Sequence, residues 1–309
     1  MSVKKSGWID EALRETETVA PDLQPWPDYF KFKAEELRTI LNFCEFSDAG
    51  SILEVGCGNG FTSYLLSKKA GRVEAFDLPR QDSASHSVGI RMAGRLAVRM
   101  RAGNMNVTGG SVTDMPYRDG SFDVVFSQYM LHYVKDKKRA LGEMRRVLTD
   151  KGVMVTIVPN FTERIFVPLI KYEYIISRLI AKMTGQGAFA AAGEATGHSA
   201  DTSTPWQSRK ISRILNDYIL LRPDGAYRNY FEEMISHWPG TWIRLLEESG
   251  FKVRGVFSTQ MMPLGLFAFL GSSGTRLLSG KIHSLTRAIG GLPILNSMGY
   301  SLGIIAVKN

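Results

Sequence analysis

Three glycines spaced two apart, Gly56, Gly58 and Gly60, and an acid nineteen residues after the middle one, Asp77, are the residues best placed to do chemistry in this chain. Glycine tolerates positive φ and lets a ligand approach the backbone closely. Free N–H groups at the start of a following helix favour a polar ligand. An acid at the tip of the next strand can accept hydrogen bonds from two ribose hydroxyls. The flanking residues predict the elements that would hold this set. Ile52, Leu53 and Val55 form a short apolar run before the glycines, a helical pattern follows, and Val73, Ala75 and Phe76 form a second run ending on Asp77. The reading is strand, tight turn, helix, strand, acid. The spacing is G-x-G-x-G, unlike the G-x-G-x-x-G of dinucleotide sites.

With Glu54 in front, the turn reads E-x-G-x-G-x-G. It resembles the class I S-adenosylmethionine-dependent methyltransferases. The resemblance continues through SFDVVFSQYMLHYV (121–134) and ALGEMRRVLTDKGVMVTIVPN (140–160), which look like the fourth and fifth strand regions, with a helix Ala140–Leu148 and a turn Thr149–Gly152 between them. It covers 48–160 and resumes weakly at 242–258 and 299–309. The resemblance implies a doubly wound, mostly parallel seven-stranded α/β sheet, Rossmann-like, with S-adenosyl-L-methionine as cofactor. It implies that Glu54, Gly56, Gly58 and Gly60 lie under the methionine part, that Asp77 holds the ribose, and that Leu78 flanks the adenine. The acid that usually follows the third-strand glycine is replaced here by Ser111, so Ser111 or the backbone at Val112 takes the adenine contact, and Asp114 matches a second, less constant acid. Ser127, Gln128 and Tyr129 are expected at the methionine end. His132 falls where a methyl acceptor comes close. It is the candidate general base for a hydroxyl acceptor, and a structural histidine at a helix start is the competing reading. His198, His237, Glu232, Glu233, Tyr227 and Tyr230 are further candidates.

The remaining sequence predicts what surrounds this core. Residues 1–47 read as a helical lead-in, with an amphipathic helix over Asp28–Phe46 whose Tyr29 and Phe30 either wall the cofactor or pack on the sheet. Residues 161–240 are a helical insertion, and 241–309 return to the core with a second apolar, basic insertion at 261–298. An insertion after the fifth strand covers the carboxyl ends of the strands, where ligands of open α/β sheets bind. The segment 164–183 reads as a basic amphipathic helix, 184–205 as a mobile loop, and 227–238 as a helix with Tyr227, Tyr230, Phe231, Met234 and Trp238 on one face. A helix over 86–101 carries Arg91, Arg95 and Arg99 on a face of their own.

Net charge is +8, and the 61 residues after Glu248 contain no acid. A basic, apolar tail points to an anionic membrane surface and to a hydrophobic or lipid-linked small acceptor. A soluble enzyme of a small metabolite and a non-catalytic cofactor-binding scaffold are the alternatives. No RNA-binding module or amide-positioning N/D-P-P-Y motif is present, which disfavours nucleic acid. Two cysteines, Cys44 and Cys57, build neither a disulfide framework nor a zinc site, and no metal is expected. The expected location is the cytoplasm, peripheral on the inner face of the membrane. The start of the chain has no apolar signal segment, and the longest apolar stretch of the second insertion, Met261–Leu270, is too short to span a bilayer.

Overall fold

A computed structural model describes residues 7–25, 29–79, 89–165, 223, 225–260 and 299–309. Strands β1 (Ser51–Val55), β2 (Arg72–Asp77), β3 (Met105–Gly109), β4 (Phe122–Gln128), β5 (Leu148–Pro159), β6 (Phe251–Gln260) and β7 (Ser301–Lys308) make one sheet in the order β3-β2-β1-β4-β5-β7-β6. Neighbours from β3 to β5 are parallel, and β7 runs antiparallel to both β5 and β6. This is the mostly parallel, doubly wound seven-stranded sheet expected. The order reverses between β1 and β4, and ligands of such sheets bind outside the carboxyl ends at that switch.

Strand residues alternate between two apolar layers, as a period of two requires. Ile52, Val73, Ala75, Val124, Phe126 and Ile157 face one layer, which α1 (Gly7–Val19), α2 (Tyr29–Phe43), α3 (Phe61–Ser67) and α4 (Ile90–Arg99) cover with Ile9, Phe30, Leu37, Ile40, Tyr64 and Leu96. Leu53, Val55, Val125, Met154 and Ile304 face the other, under Leu141, Met144 and Val147 of α5 (Lys137–Val147) and Trp242 and Leu246 of α7 (Pro239–Glu248). Burying both faces accounts for the near-continuous apolar runs of β1, β4 and β5. The lead-in thus belongs to the core, since α1 and α2 close one of its layers.

Three local expectations need correction. Thr149–Gly152 is not a free turn between helix and strand but part of β5. Phe122 pairs with Leu148 and Val124 with Val153, so the extra residues form a large bulge. The 227–238 segment does not present one aromatic face. Asn229 caps the short helix α6 (Tyr230–Ser236) by accepting from the Glu232 N–H at 2.8 Å. Tyr230 then turns inward while Phe231 and Trp238 are 66% and 54% exposed. The helix over 86–101 is described from Ile90 to Arg99, with Ala93 and Leu96 buried and Arg91, Arg95 and Arg99 exposed. Arg99 is paired with Asp22. The basic helix and loop expected over 164–205, apart from Arg164 and Ile165, and the insertion 261–298 lie outside the described residues, as does His198.

Candidate functional site

The turn after β1 is built by its glycines. Gly56, Gly58 and Gly60 have φ of 82°, 55° and 78°, in the left-handed region that side chains resist. Gly56 N–H and Cys57 N–H donate to the Phe76 carbonyl at 2.8 and 3.1 Å, which ties the turn to the end of β2. Two of the glycines are also required by packing. A Cβ on Gly56 would lie 2.6 Å from the Met130 side chain, and one on Gly60 would lie 2.7 Å from Ala93 Cβ. Gly58 differs: among the described residues nothing comes within 4 Å of where its Cβ would stand. The side of Gly58 where a side chain would stand is thus open, at the switch point of the sheet.

Asp77 stands at the tip of β2, half-buried. Its Oδ2 accepts from Gly58 N–H at 2.8 Å and its Oδ1 from Leu78 N–H at 2.7 Å. Two backbone donors fix the carboxylate beside the open glycine. Leu78 is largely exposed next to it. Ser111 lies beyond β3 in a short hydroxyl turn: its Oγ meets Thr113 Oγ1 at 2.8 Å and accepts from Thr113 N–H at 3.3 Å. Val112 is half-buried beside it and Asp114 is exposed. These residues line the β1–β2–β3 side of the turn. The open cradle and the fixed acid fit a ligand with a hydroxylated sugar, the part of S-adenosylmethionine that the sequence assigns to them.

On the other side of the turn the sequence reading was incomplete. Glu54, 2% exposed, accepts from the Ser63 hydroxyl of α3, and burial pushes its carboxyl up to about 7, with Lys33 working against the rise. Lys33 of α2 donates to Gln128 Oε1 at the end of β4 and lies 3.0 Å from Glu36 Oε2. Tyr29 donates to Asn59 Oδ1 in the glycine turn at 3.1 Å, and burial followed by the charges of Glu54 and Glu36 keeps its phenol protonated. Tyr129, at φ 54°, donates to Glu36 Oε1 at 2.5 Å and meets Ser301 Oγ at 2.7 Å. Of the two residues expected to wall the site, Tyr29 touches the turn, whereas Phe30 packs on Phe61 at 4.4 Å between ring centroids, inside the core. Lys33, Glu36 and Asn59 were missed. The signal was there: Lys33 and Glu36 interrupt the apolar stripe Phe30, Ala34, Leu37, Ile40, where charge is costly unless it is used.

His132 sits in the single 3-10 turn Leu131–Tyr133 after β4, and is buried. Its ring packs on Tyr133 at 3.9 Å, and its carbonyl accepts from Ala226 N–H at 3.1 Å. The segment leading into α6 is thereby pinned to the end of β4. Two residues before His132, Met130 presses on Gly56. Among the described residues no three His, Cys, Asp or Glu side chains gather where they could hold a metal ion.

Comparison with known proteins agrees with this geometry. Residues 53–156 match the family described as methyltransferase domain. A methyltransferase of Staphylococcus carnosus, named as uncharacterized, is 28% identical over 158 residues, 50% of this chain and 68% of its own length. A Mycobacterium tuberculosis protein named as a probable S-adenosylmethionine-dependent methyltransferase is 26% identical over 144 residues, 47% of each chain. Among solved structures, geranyl diphosphate C-methyltransferase from Streptomyces coelicolor superposes with a TM-score of 0.50 at 15% identity, over 90% of this chain and 82% of that one; this likeness concerns the fold. Residues 53–156 therefore carry a methyltransferase domain of the class I S-adenosylmethionine-dependent kind, and S-adenosylmethionine is the cofactor that these findings support. The matched stretches span 38% to 68% of the length of the first curated relatives.

Proposed function

We propose that this protein transfers a methyl group from S-adenosylmethionine to a hydrophobic or lipid-linked small acceptor. The observation that carries the reading is the pairing of an open Gly58 with an Asp77 held by two backbone N–H groups, at the switch point of the sheet. When bound, the cofactor supplies a methyl carbon activated by its sulfonium charge, so the transfer is a direct displacement by the acceptor atom. The chain then has three tasks. It binds: Asp77 accepts from the ribose, Ser111 or the Val112 backbone meets the base, and Leu78 covers it. It orients: Gln128, Glu54 and Lys33 give the methionine end its polar partners. It excludes water and, for a hydroxyl acceptor, takes up a proton, and His132 is the residue proposed for that step.

The apolar ground beyond β4 and β5 supports the hydrophobic acceptor. Phe161 and Trp238 pack at 4.6 Å, and Phe231 and Ile235 are each 66% exposed beside them. This surface and the net charge of +8 also support a peripheral site on an anionic membrane. Among the described residues no helix is long and apolar enough to cross one. The test has two arms. Calorimetry with S-adenosylhomocysteine measures the cofactor site, where Asp77→Ala is expected to bind about tenfold or more weakly. Mass spectrometry of lipid and polar extracts, from cells with and without the protein, seeks a product heavier by one methylene. A wild-type protein that binds no S-adenosylhomocysteine would sink the reading. A product confined to the polar extract would move the acceptor to soluble metabolites.

A further inference from the structure

The other described histidine of the site region is not used by that reading. His237 ends α6 with 0% exposure, and among the described residues neither ring nitrogen has a hydrogen-bond partner. The Tyr227 hydroxyl and the Trp242 indole N–H, both buried, also have none among the described residues. The rings are neighbours. Tyr227 stands edge-on to His237 at 5.4 Å, His132 edge-on at 6.1 Å, and Trp242 lies nearly parallel at 6.2 Å. Four polar atoms without partners around one imidazole run against the rule that buried polar groups are bonded. Each is destabilising if nothing fills the place.

The cluster is tied to the ends of β4 and β5. The His237 carbonyl accepts from Phe161 N–H at 3.1 Å, just past β5, and the His132 carbonyl accepts from Ala226 N–H at 3.1 Å. Met130, two residues before His132, touches Gly56. The charges around it define what it can take. Burial first, then Arg164, His132 and Lys137, hold His237 down at about 2, so its ring is neutral, with one N–H donor and one bare acceptor nitrogen. Burial also keeps Tyr227 protonated. Lys137 Nζ lies 4.6 Å from the Tyr227 ring centre. Arg164 is offset by Glu233 at 3.3 Å and Glu163 at 3.6 Å. An ammonium group would meet the same cations that keep His237 neutral, and an anion would find Arg164 already paired. A hydroxyl suits the cluster: it donates to the bare imidazole nitrogen and accepts from the phenol or the indole.

We propose that His237, Tyr227 and Trp242 form the binding site for an uncharged hydroxyl head group on an otherwise apolar acceptor. This rests on the methyl-transfer reading for its purpose, and on the cluster alone for its chemistry. The full chain, saturated with S-adenosylhomocysteine, is titrated with 4-octylphenol, 4-octylanisole and octylbenzene, following tryptophan fluorescence and heat. Octylphenol is expected to bind at least about tenfold more tightly than octylbenzene, the free energy of one or two net hydrogen bonds. The anisole, which only accepts, should fall between. Tyr227→Phe removes a single oxygen, and His237→Leu removes both nitrogens. Each should reduce the preference to less than about threefold and leave octylbenzene unchanged. A wild-type protein that binds the phenol no better than octylbenzene overturns the proposal and leaves the cluster to ordered water. Tyr227→Phe and wild type with equal preference remove Tyr227 from it. The same titration without S-adenosylhomocysteine separates the two readings, because the hydroxyl preference persists there even if the nucleoside proves not to bind.

Discussion

Replacing Glu54 by Gln should flatten part of the pH dependence of stability. Glu54 is buried under the glycine turn, bonded to Ser63, with its carboxyl raised from the ordinary 4.5 to about 7. Desolvation is the main cause, and the Ser63 hydrogen bond followed by the Lys33 charge opposes it. The sign follows from proton binding. Between 4.5 and about 7 the folded chain holds a proton that the unfolded chain has released, so stability falls as pH rises. The contribution is complete below 4.5 and lost above about 7. At about 1.4 kcal/mol per pH unit, the gap amounts to about 3 kcal/mol. Gln keeps the size and a hydrogen bond to Ser63, and cannot ionise. Urea unfolding of wild type and Glu54→Gln at intervals from pH 5 to 8.5 gives the difference between them, in which every other titrating group cancels. The variant should gain about 2–3 kcal/mol relative to wild type across that range. A difference that stays flat within about 0.5 kcal/mol would mean that the carboxyl titrates normally. A difference of opposite sign would mean that the Ser63 hydrogen bond and the Lys33 charge together outweigh burial, and would refute a raised Glu54 carboxyl. Nucleoside binding in the variant then tells whether the ionised form matters to the cofactor site.

Gly56→Ala should cost about 1–3 kcal/mol in thermal or urea unfolding, since its φ is 82° and its Cβ would strike Met130, while Gly58→Ala, with open space, should be milder in stability and harsher in S-adenosylhomocysteine affinity. His132→Ala should lower turnover on a hydroxyl acceptor by about 100-fold with nucleoside affinity intact, measured by calorimetry beside product formation; near-normal turnover would make the histidine structural. Arg146→Ala should destabilise by about 1–3 kcal/mol, because its guanidinium bonds the carbonyls of Met115 and Tyr117 at 3.0 and 2.6 Å as well as Glu143 and Asp119. Binding to vesicles should appear with anionic lipid, be absent with neutral lipid, and weaken with added salt, at about 1 kcal/mol for each basic residue that reaches the surface; sedimentation that leaves the protein in solution at low salt would remove the membrane from the proposal.

The geometry of the glycine turn and Asp77 was legible because its physics is local. Positive φ, a tight turn and an acid at a strand tip are all written within residues 52–77, and apolar runs marked the strands around them. The α2 side was less legible, because the meaning of Lys33 depends on Gln128, ninety-five residues away, and that of Tyr129 on Glu36 and Ser301. A charged residue in an apolar stripe signals a partner without naming it. The His237 cluster illustrates the limit further. Its members come from the segment before α6, the end of α6 and the start of α7, and periodicity placed Tyr227 and Phe231 on a common face. The Asn229 cap starts the helix later than the pattern suggested. The bulge in β5 misled for a related reason: Thr149-Asp150-Lys151-Gly152 has the composition of a turn, and tertiary pairing of Leu148 with Phe122 holds it in the sheet.

The position of β7 has a consequence for biogenesis. It is the last of the described strands and yet lies inside the sheet, bonded to β5 on one edge and β6 on the other. As the chain leaves the ribosome, β5 is made about 140 residues before its neighbour, and its ladder stays open through the whole first insertion, β6 and the second insertion. An unpaired apolar edge such as Val153–Val158 is a template for pairing with other chains. Closing the connection from Gln260 to Ser301 is slow rather than costly, since each doubling of a loop adds only about 0.6 kcal/mol. Chains cut before 301 should therefore be made, fold their nucleoside half, and aggregate through the β5 edge; supplying Ser301–Lys308 as a separate strand would be the direct way to rescue them.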